Sequence, residues 1–470
     1  MTRIFVSIVE STLGAALESI RRLDDDRIGI EVRVDAFDPS ASCSFDPAEI
    51  RATSSLPMIY TRRSGSERPG PSVKEIEIAL DAGFDLVDVE LDGSVATGEL
   101  PPSSRDRLLL SLHDYDGVPP IERQLGKMES TGIPNIKIAV TPRSFAEDLS
   151  VLRHLARYRG GSNLTLFGMG SRGLYSRTLA PFLGSKLSFV ALDEMRSAAP
   201  GQLSLSRGLE VWQELPEMEV AALFAVVGRP VAHSRSPRIH NARFRENRVS
   251  AAYGMIEPES IGQVLSAMEE SEPLAPTGLS VTAPFKEDLY DEAVRRSWTV
   301  TERARRVGTA NTVANVGDRF VVDNTDVLGF RRALEARTYS RIAILGAGGT
   351  ARAAIAAIDA VDELVVFNRT LERAEKLARP MKGEGRSLKN PDLQGFDVVI
   401  DTLPSSAGFD SYPSVMKRGG LLIRAAYEED SGTELRAEER GIEVFGAIDL
   451  LEAQAEEQSR LFLKAAGGTE

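Results

Sequence analysis

The sequence predicts an α/β protein: an N-terminal (β/α)8 barrel of the TIM type, then a two-domain α/β half ending in a Rossmann-type sheet. Three observations carry that expectation. The chain has 470 residues, which at ~150 residues per domain suggests about three domains. Short β-branched or leucine-rich runs recur through the first 190 residues, with starts 22 to 28 residues apart. From Arg341, the run RIAILGAGGTARAAIAAI reads as a strand, a glycine turn and an alanine-rich helix.

The barrel strands are expected at residues 4–8, 29–34, 57–61, 85–91, 107–112, 135–140, 163–169 and 187–192. Between them, residues 12–23, 73–82, 119–131 and 145–157 carry apolar side chains at helical spacing. A doubly wound open sheet also alternates strand and helix. Eight strands within about 200 residues favour the barrel. Residues 203–215 read as a last helix and the acidic LPEMEV around Pro216 as a short linker.

Composition excludes several classes. With 42% hydrophobic and 27% charged residues the chain is of ordinary globular type. Fifty-six Lys+Arg against 69 Asp+Glu give a net charge of −13, which argues against a general nucleic-acid or anionic-membrane binder. One cysteine, Cys43, excludes an intramolecular disulfide framework and a multi-cysteine zinc site. The start MTRIFVSIVE is not a secretory signal, and no apolar stretch reaches membrane-spanning length. A cytoplasmic protein with small-molecule partners is expected. The sequence leaves the oligomeric state open.

Parallel barrel strands should be apolar, and several here are not. EVRV puts Glu31, Arg33 and Asp35 on one strand face. YTRRSGSE brings Arg63 and Glu67, SLHD brings His113 and Asp114, and NIKIAV holds Lys137 between Ile136 and Ile138. A lone strand histidine is more often a satisfied polar group. Several ionisable residues gathered at the strands' C-terminal ends, where barrel sites form, are harder to dismiss. Burial and nearby arginines depress a lysine pKa. A neutral amine is what imine formation on a ketone requires, and a nearby histidine suggests subsequent proton abstraction.

These motifs, with MGSRGLYSR at Met169 and APGQ at Ala199, resemble type I 3-dehydroquinate dehydratase over about residues 1–217. The resemblance implies that Lys137 forms the imine and that His113 is general base, then general acid. Glu67 matches a position that hydrogen-bonds near that histidine. Glu31, Arg33, Arg63, Arg177 and Gln202 match substrate-holding positions, with Arg177 as carboxylate clamp. Ala198 departs from the serine common in the family.

The second half restarts with LFAVVG at Leu223. In HSRSPRIHN, Ser234 and Ser236 precede a helix that Pro237 can start. They read either as helix caps or as ligand hydroxyls. VTAPFK supplies Thr282 and Lys286, GTANTV supplies Asn311, and DNTDVLG supplies Asn324, Thr325 and Asp326. Gly346, Gly348 and Gly349 let a pyrophosphate approach a helix N-terminus, with Ala351 in place of a third glycine. After the next strand come Asn368, Arg369 and Thr370. An NAD enzyme usually carries an acidic side chain there; Arg369 offers a cation to a 2′-phosphate, so NADP is favoured over a merely solvated arginine. Further strands are expected at residues 397–400, 421–424 and 442–445. His233 and His240 read as structural, and His154 as solvent-facing.

With IDLLEAQAEEQ near the end, this half resembles shikimate dehydrogenase, with a substrate domain at 222–328, an NADP domain at 329–450 and a returning helix at 451–470. The resemblance implies that Lys286 and Asp326 handle the proton at the reacting hydroxyl. Ser234, Ser236, Thr282, Asn311, Tyr427 and Gln454 would bind substrate. Gly346, Ala347, Gly348, Gly349, Thr350, Ala351, Asn368, Arg369, Thr370 and Thr402 would bind cofactor. Ser280, the Asp401-Thr402-Leu403-Pro404 run and Glu428-Glu429 after Tyr427 depart from the family's usual residues. Together the halves imply a bifunctional shikimate-pathway enzyme, dehydrating 3-dehydroquinate and then reducing 3-dehydroshikimate to shikimate with NADPH. Two readings compete: a quinate/shikimate dehydrogenase using NAD, and a non-catalytic quinate-pathway regulator.

Overall fold

In the computed structural model the structure describes residues 2–38, 45–64, 70–91, 102–196, 199, 201–212, 220–335, 338–403, 412–425 and 432–467. Two compact units divide the chain, Met1–Pro276 and Thr277–Glu470.

The first unit begins with β1 (Arg3–Ile8), β2 (Ile28–Arg33), β3 (Met58–Thr61) and β4 (Leu86–Glu90). There follow β5 (Leu108–Asp114), β6 (Asn135–Val140), β7 (Asn163–Gly168) and β8 (Leu187–Ala191). They form one parallel sheet in the order β7-β6-β5-β4-β3-β2-β1-β8. Across the seam between β7 and β8, the Lys186 N–H donates to Leu164 O at 3.0 Å and the Leu187 N–H to Thr165 Oγ1 at 3.1 Å. The sheet is therefore a nearly closed barrel, as the strand count predicts. The strands' apolar side chains, Val6, Ile30, Val32, Leu110, Ile136 and Ile138 among them, are fully buried.

The connecting helices are α1 (Leu13–Arg21), α2 (Pro47–Arg51), α3 (Val73–Asp81), α4 (Ile121–Glu129), α5 (Phe145–Arg157), α6 (Leu174–Leu179) and α7 (Leu205–Trp212). Thr12, Asp46, Ser72 and Ser144 start α1, α2, α3 and α5, each side chain accepting a first-turn N–H. One local expectation is corrected. The alternation of β2 stops at Arg33, where Val34–Ala36 turns into a 3-10 helix, so Asp35 leaves the strand face. It instead accepts both guanidinium hydrogen bonds of Arg33, at 3.0 and 2.7 Å. The linker expected around Pro216 and the single Cys43 lie outside the described residues.

The first unit continues through β9 (Ala222–Val227), α8 (Ser236–Glu246), β10 (Ala251–Ile256) and α9 (Ile261–Glu269), with β9 and β10 parallel. β10 ends its sheet, and side chains from two helices satisfy its open edge. The Tyr253 N–H donates to Asn241 Oδ1 at 2.8 Å, and Asn241 Nδ2 donates back to Tyr253 O at 3.2 Å. The Met255 N–H donates to Thr178 Oγ1 of α6 at 3.2 Å. Buried backbone donors thereby keep partners where no further strand follows.

In the second unit come β11 (Gly278–Val281), α10 (Lys286–Arg295), β12 (Thr299–Val300), α11 (Glu302–Val307), β13 (Thr312–Val316), β14 (Arg319–Asp323) and α12 (Asp326–Leu334). β13 pairs antiparallel with both β11 and β14, and β12 runs parallel to β14. The later part holds β15 (Arg341–Leu345), α13 (Gly349–Ala357), β16 (Glu363–Asn368), α14 (Leu371–Ala378), β17 (Glu384–Ser387) and β18 (Val398–Asp401). It closes with β19 (Leu421–Arg424), α15 (Thr433–Glu439), β20 (Glu443–Phe445) and α16 (Ala447–Ala465).

These later strands form a parallel sheet ordered β17-β16-β15-β18-β19-β20. Counted from β15, that is the 3-2-1-4-5-6 order of a doubly wound dinucleotide-binding sheet. Ile342, Ile344, Val366, Val398 and the alanines of α13 bury one face, with Ala343, Val365 and Leu422 on the other. No helix among the described residues is long and apolar enough to cross a membrane.

Candidate active sites

Ionisable side chains of five barrel strands and of the segments that follow them meet in one cavity. Ser7, Glu31, Arg33, Arg63, His113, Lys137, Arg177 and Gln202 line it, with Tyr115, Phe167 and Phe189. Strand alternation sends Ile136 and Ile138 to one face of β6 and Lys137 to the other. Lys137 Nζ stands 3.5 Å from Glu31 Oε1 and 3.6 Å from Asp88 Oδ2. It lies 3.7 Å from the ring centroid of Phe189, which walls the amine off from water.

Glu31 is held by hydroxyls. Ser7 Oγ donates to its Oε2 at 2.6 Å and Thr61 Oγ1 to its Oε1 at 3.2 Å. Gln202 Nε2 reaches Ser7 Oγ at 3.2 Å. Arg63 is the hub of the opposite side. Its guanidinium meets both oxygens of Asp88 at 3.3 and 3.1 Å, Ser111 Oγ at 3.0 Å and His113 Nδ1 at 3.0 Å. Glu90 Oε1 lies 3.4 Å from Arg63 Nη1 and 3.7 Å from His113 Nδ1.

The charges shift one another. Burial opposes ionisation of Glu31, yet Lys137, Arg33 and Arg63 hold its carboxyl down at about 2. Burial also pushes the Lys137 amine below its ordinary value; Glu31 opposes the shift and Arg63 adds to it. His113 falls well below the usual histidine range, first through burial and then through Arg63, Lys137 and Arg33. The cavity therefore combines a lysine with a weakened hold on its proton and a neutral imidazole.

Arg177 adds an anion receptor. It is 3% exposed, its Nε donates to Gly168 O at 3.1 Å, and its guanidinium lies 4.8 Å from the centroid of Phe167. Its Nη2 is buried with no hydrogen-bond partner among the described residues. A buried guanidinium donor left open on a cavity wall is matched by a carboxylate or phosphate oxygen.

In the second unit, Lys286 Nζ donates to Asp326 Oδ2 at 2.5 Å and lies 3.4 Å from Thr350 Oγ1. Asn311 fixes the other carboxylate oxygen. Its Nδ2 donates to Asp326 Oδ1 at 2.8 Å and lies 3.3 Å from Gln454 Oε1, and its Oδ1 accepts the Thr325 N–H at 2.8 Å. Asn311 is thus a buried strut between two expected site residues, Asp326 and Gln454, and the Thr325 backbone. Thr282 follows β11 and is half-buried. Ser280 enters the same network: its Oγ donates to Gln458 Oε1 at 3.0 Å, and Gln458 Nε2 donates to Thr312 Oγ1 at 3.0 Å.

The glycine turn sits at the switch point of the doubly wound sheet, between β15 and β18. Gly346 has φ +103°, and a Cβ there would lie 2.4 Å from Thr402 Oγ1. Thr402 Oγ1 donates to Leu345 O at 2.8 Å. A Cβ on Gly348 would meet nothing within 4 Å, and Ala351 is fully buried. Gly348 therefore leaves open space before the first turn of α13. Arg369 and Thr370 are exposed just beyond β16, where Asn368 Nδ2 donates to Thr370 O at 3.0 Å. The donor set fits a dinucleotide: an open helix N-terminus for the pyrophosphate and an exposed cation one strand over.

Asp401 accepts the Leu403 N–H at 2.9 Å, and Arg424, its register partner on β19, places Nε 3.8 Å from Asp401 Oδ2. In the first unit, Ser234 Oγ accepts the Ser236 N–H at 3.2 Å, and Ser236 begins α8. His240 is buried and stacks on Tyr253 at 4.6 Å. His154 is half-buried, its Nδ1 2.7 Å from Ser150 O, rather than facing solvent. Glu67 and Tyr427 lie outside the described residues, as does Ala198. Sequence reasoning missed Asp88, Glu90 and Ser111; the charged alternation of LVDVE is the signal that could have found the first two.

Residues 4–215 match the family model described as type I 3-dehydroquinase. Residues 226–313 match the shikimate dehydrogenase substrate binding domain, and residues 331–407 match shikimate / quinate 5-dehydrogenase. The chain is similar to the chloroplastic bifunctional 3-dehydroquinate dehydratase/shikimate dehydrogenase of Arabidopsis thaliana, at 27% identity over 92% of this chain and 77% of that protein. The pentafunctional AROM polypeptide of Kluyveromyces lactis is 29% identical over 77% of this chain, which spans 24% of that polypeptide's length. The solved dehydroquinate dehydratase and shikimate dehydrogenase from S. pombe AroM is 23% identical and aligns with 100% of this chain and 96% of its own, with a TM-score of 0.41.

Proposed function

We propose that this chain, which belongs to the type I 3-dehydroquinase family over residues 4–215 and to the shikimate dehydrogenase family over residues 226–313 and 331–407, catalyses two consecutive steps of the shikimate pathway. The first is Schiff-base dehydration of 3-dehydroquinate to 3-dehydroshikimate. The second is NADPH-dependent reduction of that product to shikimate. The observation that carries the reading is Lys137: a buried amine, its proton loosened by burial, in one cavity with a neutral imidazole and the open donor of Arg177.

In the first reaction Lys137 Nζ attacks the substrate ketone, and loss of water leaves an iminium. That cation acidifies the neighbouring carbon, from which His113 takes a proton. The same proton returns to the departing hydroxyl, which leaves as water, and hydrolysis frees Lys137. Arg177 holds the carboxylate through its Nη2, which has no partner among the described residues. Glu31, Arg33, Arg63 and Gln202 hold the substrate's oxygens, and Glu67 orients His113.

In the second reaction NADPH, when bound, supplies the hydride. Lys286 and Asp326 handle the proton at the carbonyl oxygen being reduced, each orienting the other across 2.5 Å. Asn311 fixes Asp326 from behind. We assign substrate binding to Ser234, Ser236, Thr282, Asn311, Tyr427 and Gln454. The cofactor falls to Gly346, Ala347, Gly348, Gly349, Thr350, Ala351 and Thr402 at the pyrophosphate, and to Asn368, Arg369 and Thr370 at the ribose. The same reading divides the chain into 1–217, 222–328 and 329–450, with 451–470 returning to the substrate domain, and places the enzyme in the cytoplasm.

Borohydride trapping with 3-dehydroquinate tests the first activity. A reduced adduct on Lys137 is expected, and its absence refutes the imine mechanism. For the second, kcat/KM is compared for shikimate and quinate with NADP+ and NAD+. Shikimate with NADP+ is the expected preferred pair. Equal use of NAD+ removes the role of Arg369, and preference for quinate replaces the reduction proposed here.

A further inference from the structure

We propose that Thr178 is a positioning residue for Arg177, through which strand β10, beyond the barrel, sets how firmly the barrel holds its carboxylate substrate. The inference rests on the assignment of Arg177 as the carboxylate receptor.

α6 is six residues long and every one of them is buried. So short a helix closes few internal hydrogen bonds and has little stability of its own. Its placement is therefore set by what grips it from outside. Two consecutive residues serve two different structures. Arg177 lines the barrel cavity and meets β7 through the hydrogen bond from Nε to Gly168 O at 3.1 Å and through the ring of Phe167, 4.8 Å away. Thr178 is bound to the elements beyond the barrel. Its Oγ1 donates to Leu174 O at 2.6 Å and accepts the Met255 N–H at 3.2 Å, while its carbonyl accepts Trp212 Nε1 at 2.9 Å.

The grip is tight as well as polar. A Cβ on Gly254 of β10 would lie 2.7 Å from Thr178 Oγ1 and 2.9 Å from Leu179 Cγ. Only glycine lets the strand and the helix approach this closely. About one turn earlier in the same helix, Tyr175 adds a second attachment by donating from its hydroxyl to Leu274 O at 2.9 Å. A displacement of β10 by a few tenths of an ångström must therefore move α6, and with it the guanidinium whose open Nη2 meets the substrate. Receptors of this kind lose affinity when their donors shift by well under ~1 Å.

The test uses the full chain. Thr178→Val keeps the side chain's shape and removes the acceptor of the Met255 N–H. It is expected to raise the KM for 3-dehydroquinate about 3–10-fold, the loss of roughly one hydrogen bond's contribution, with kcat little changed. Thr178→Ser should restore the wild-type KM. In an Arg177→Lys background the Thr178→Val substitution should add less than about twofold, because the two act through one contact. Should Thr178→Val fail to fold, Gly254→Ala keeps every donor and acceptor, presses on Thr178, and is expected to give the same split. An equal effect in both backgrounds, or a fall in kcat with KM unchanged, overturns the proposal. A wild-type chain that neither converts nor traps 3-dehydroquinate overturns the reading on which it rests.

Discussion

Arg63 Nη1 approaches His113 Nδ1 to 3.0 Å, so the imidazole nitrogen facing the guanidinium has to accept. A guanidinium carries only donors, so the neutral ring of the free chain bears its hydrogen on Nε2. It keeps its basic lone pair on Nδ1, the nitrogen that takes the proton once Arg63 turns to the substrate's oxygens. Burial, Arg63, Lys137 and Arg33 all disfavour an imidazolium here. The expected outcome in a nitrogen-detected NMR titration is an Nε2–H tautomer with a pKa well below the ordinary histidine value. Arg63→Ala should raise that pKa. An unshifted titration in the wild type, or one unmoved by Arg63→Ala, would sink this account of the site.

The sign of the linked stability follows. His113 is neutral when folded and protonates readily when unfolded, so its contribution is full above about pH 6.5 and is lost as pH falls towards the folded pKa. His113→Gln removes the titrating group and should flatten wild-type stability loss between about pH 6.5 and 5 in chemical denaturation. The same variant should lose roughly 10²–10⁴-fold in dehydration rate, the usual scale for a missing acid–base group. Parallel stability curves for the two proteins over that window would contradict the burial argument.

Gly346 offers a test confined to the second unit. Its φ of +103° and the 2.4 Å approach of a Cβ to Thr402 Oγ1 make Gly346→Ala strained and crowded, at a cost of roughly 1–3 kcal/mol. The KM for NADPH is expected to rise about tenfold or more, while 3-dehydroquinate dehydration on the same chain keeps its wild-type rate. Unchanged cofactor KM would remove this turn from the nucleotide site.

Much of this was legible in the sequence, for reasons that differ by element. The barrel followed from eight strand-like runs at regular spacing. Lys137 and Glu31 stood out because an ionisable side chain in a buried parallel strand serves no packing purpose. The same rule brings in Asp88 and Glu90 on β4, but Phe167 and Phe189 are invisible to it, since an aromatic residue is ordinary in a strand core. Asp35 was misplaced because alternation carries no signal for where a strand ends. Thr178 and Met255 meet across 77 positions, and no local pattern encodes such a contact.

Arg369 gives the specificity prediction. It is exposed beyond β16, one strand from the glycine turn, where a 2′-phosphate would sit. Arg369→Ala should raise the KM for NADPH roughly 10–100-fold, the scale of a lost charge-assisted contact, and leave the KM for NADH nearly unchanged. Equal losses with both cofactors would mean that Arg369 recognises something common to the two.

Asp148 carries a stability prediction of opposite sign to that of His113. It is buried behind the barrel cavity, where its Oδ2 accepts the Ser176 N–H at 3.1 Å. Burial raises its carboxyl to about 7, against the opposing pull of the Ser176 hydrogen bonds and of Arg177. The folded protein therefore holds this proton more tightly than the unfolded chain does. Its contribution is full below about pH 4 and is lost as pH rises through 7. Asp148→Asn keeps an acceptor for the Ser176 N–H and cannot ionise. Relative to the variant, the wild type should lose on the order of 2–4 kcal/mol between about pH 4 and 7, with the difference level at higher pH. A constant difference across that range would mean that Asp148 is already ionised in the folded chain, with Arg177 outweighing burial.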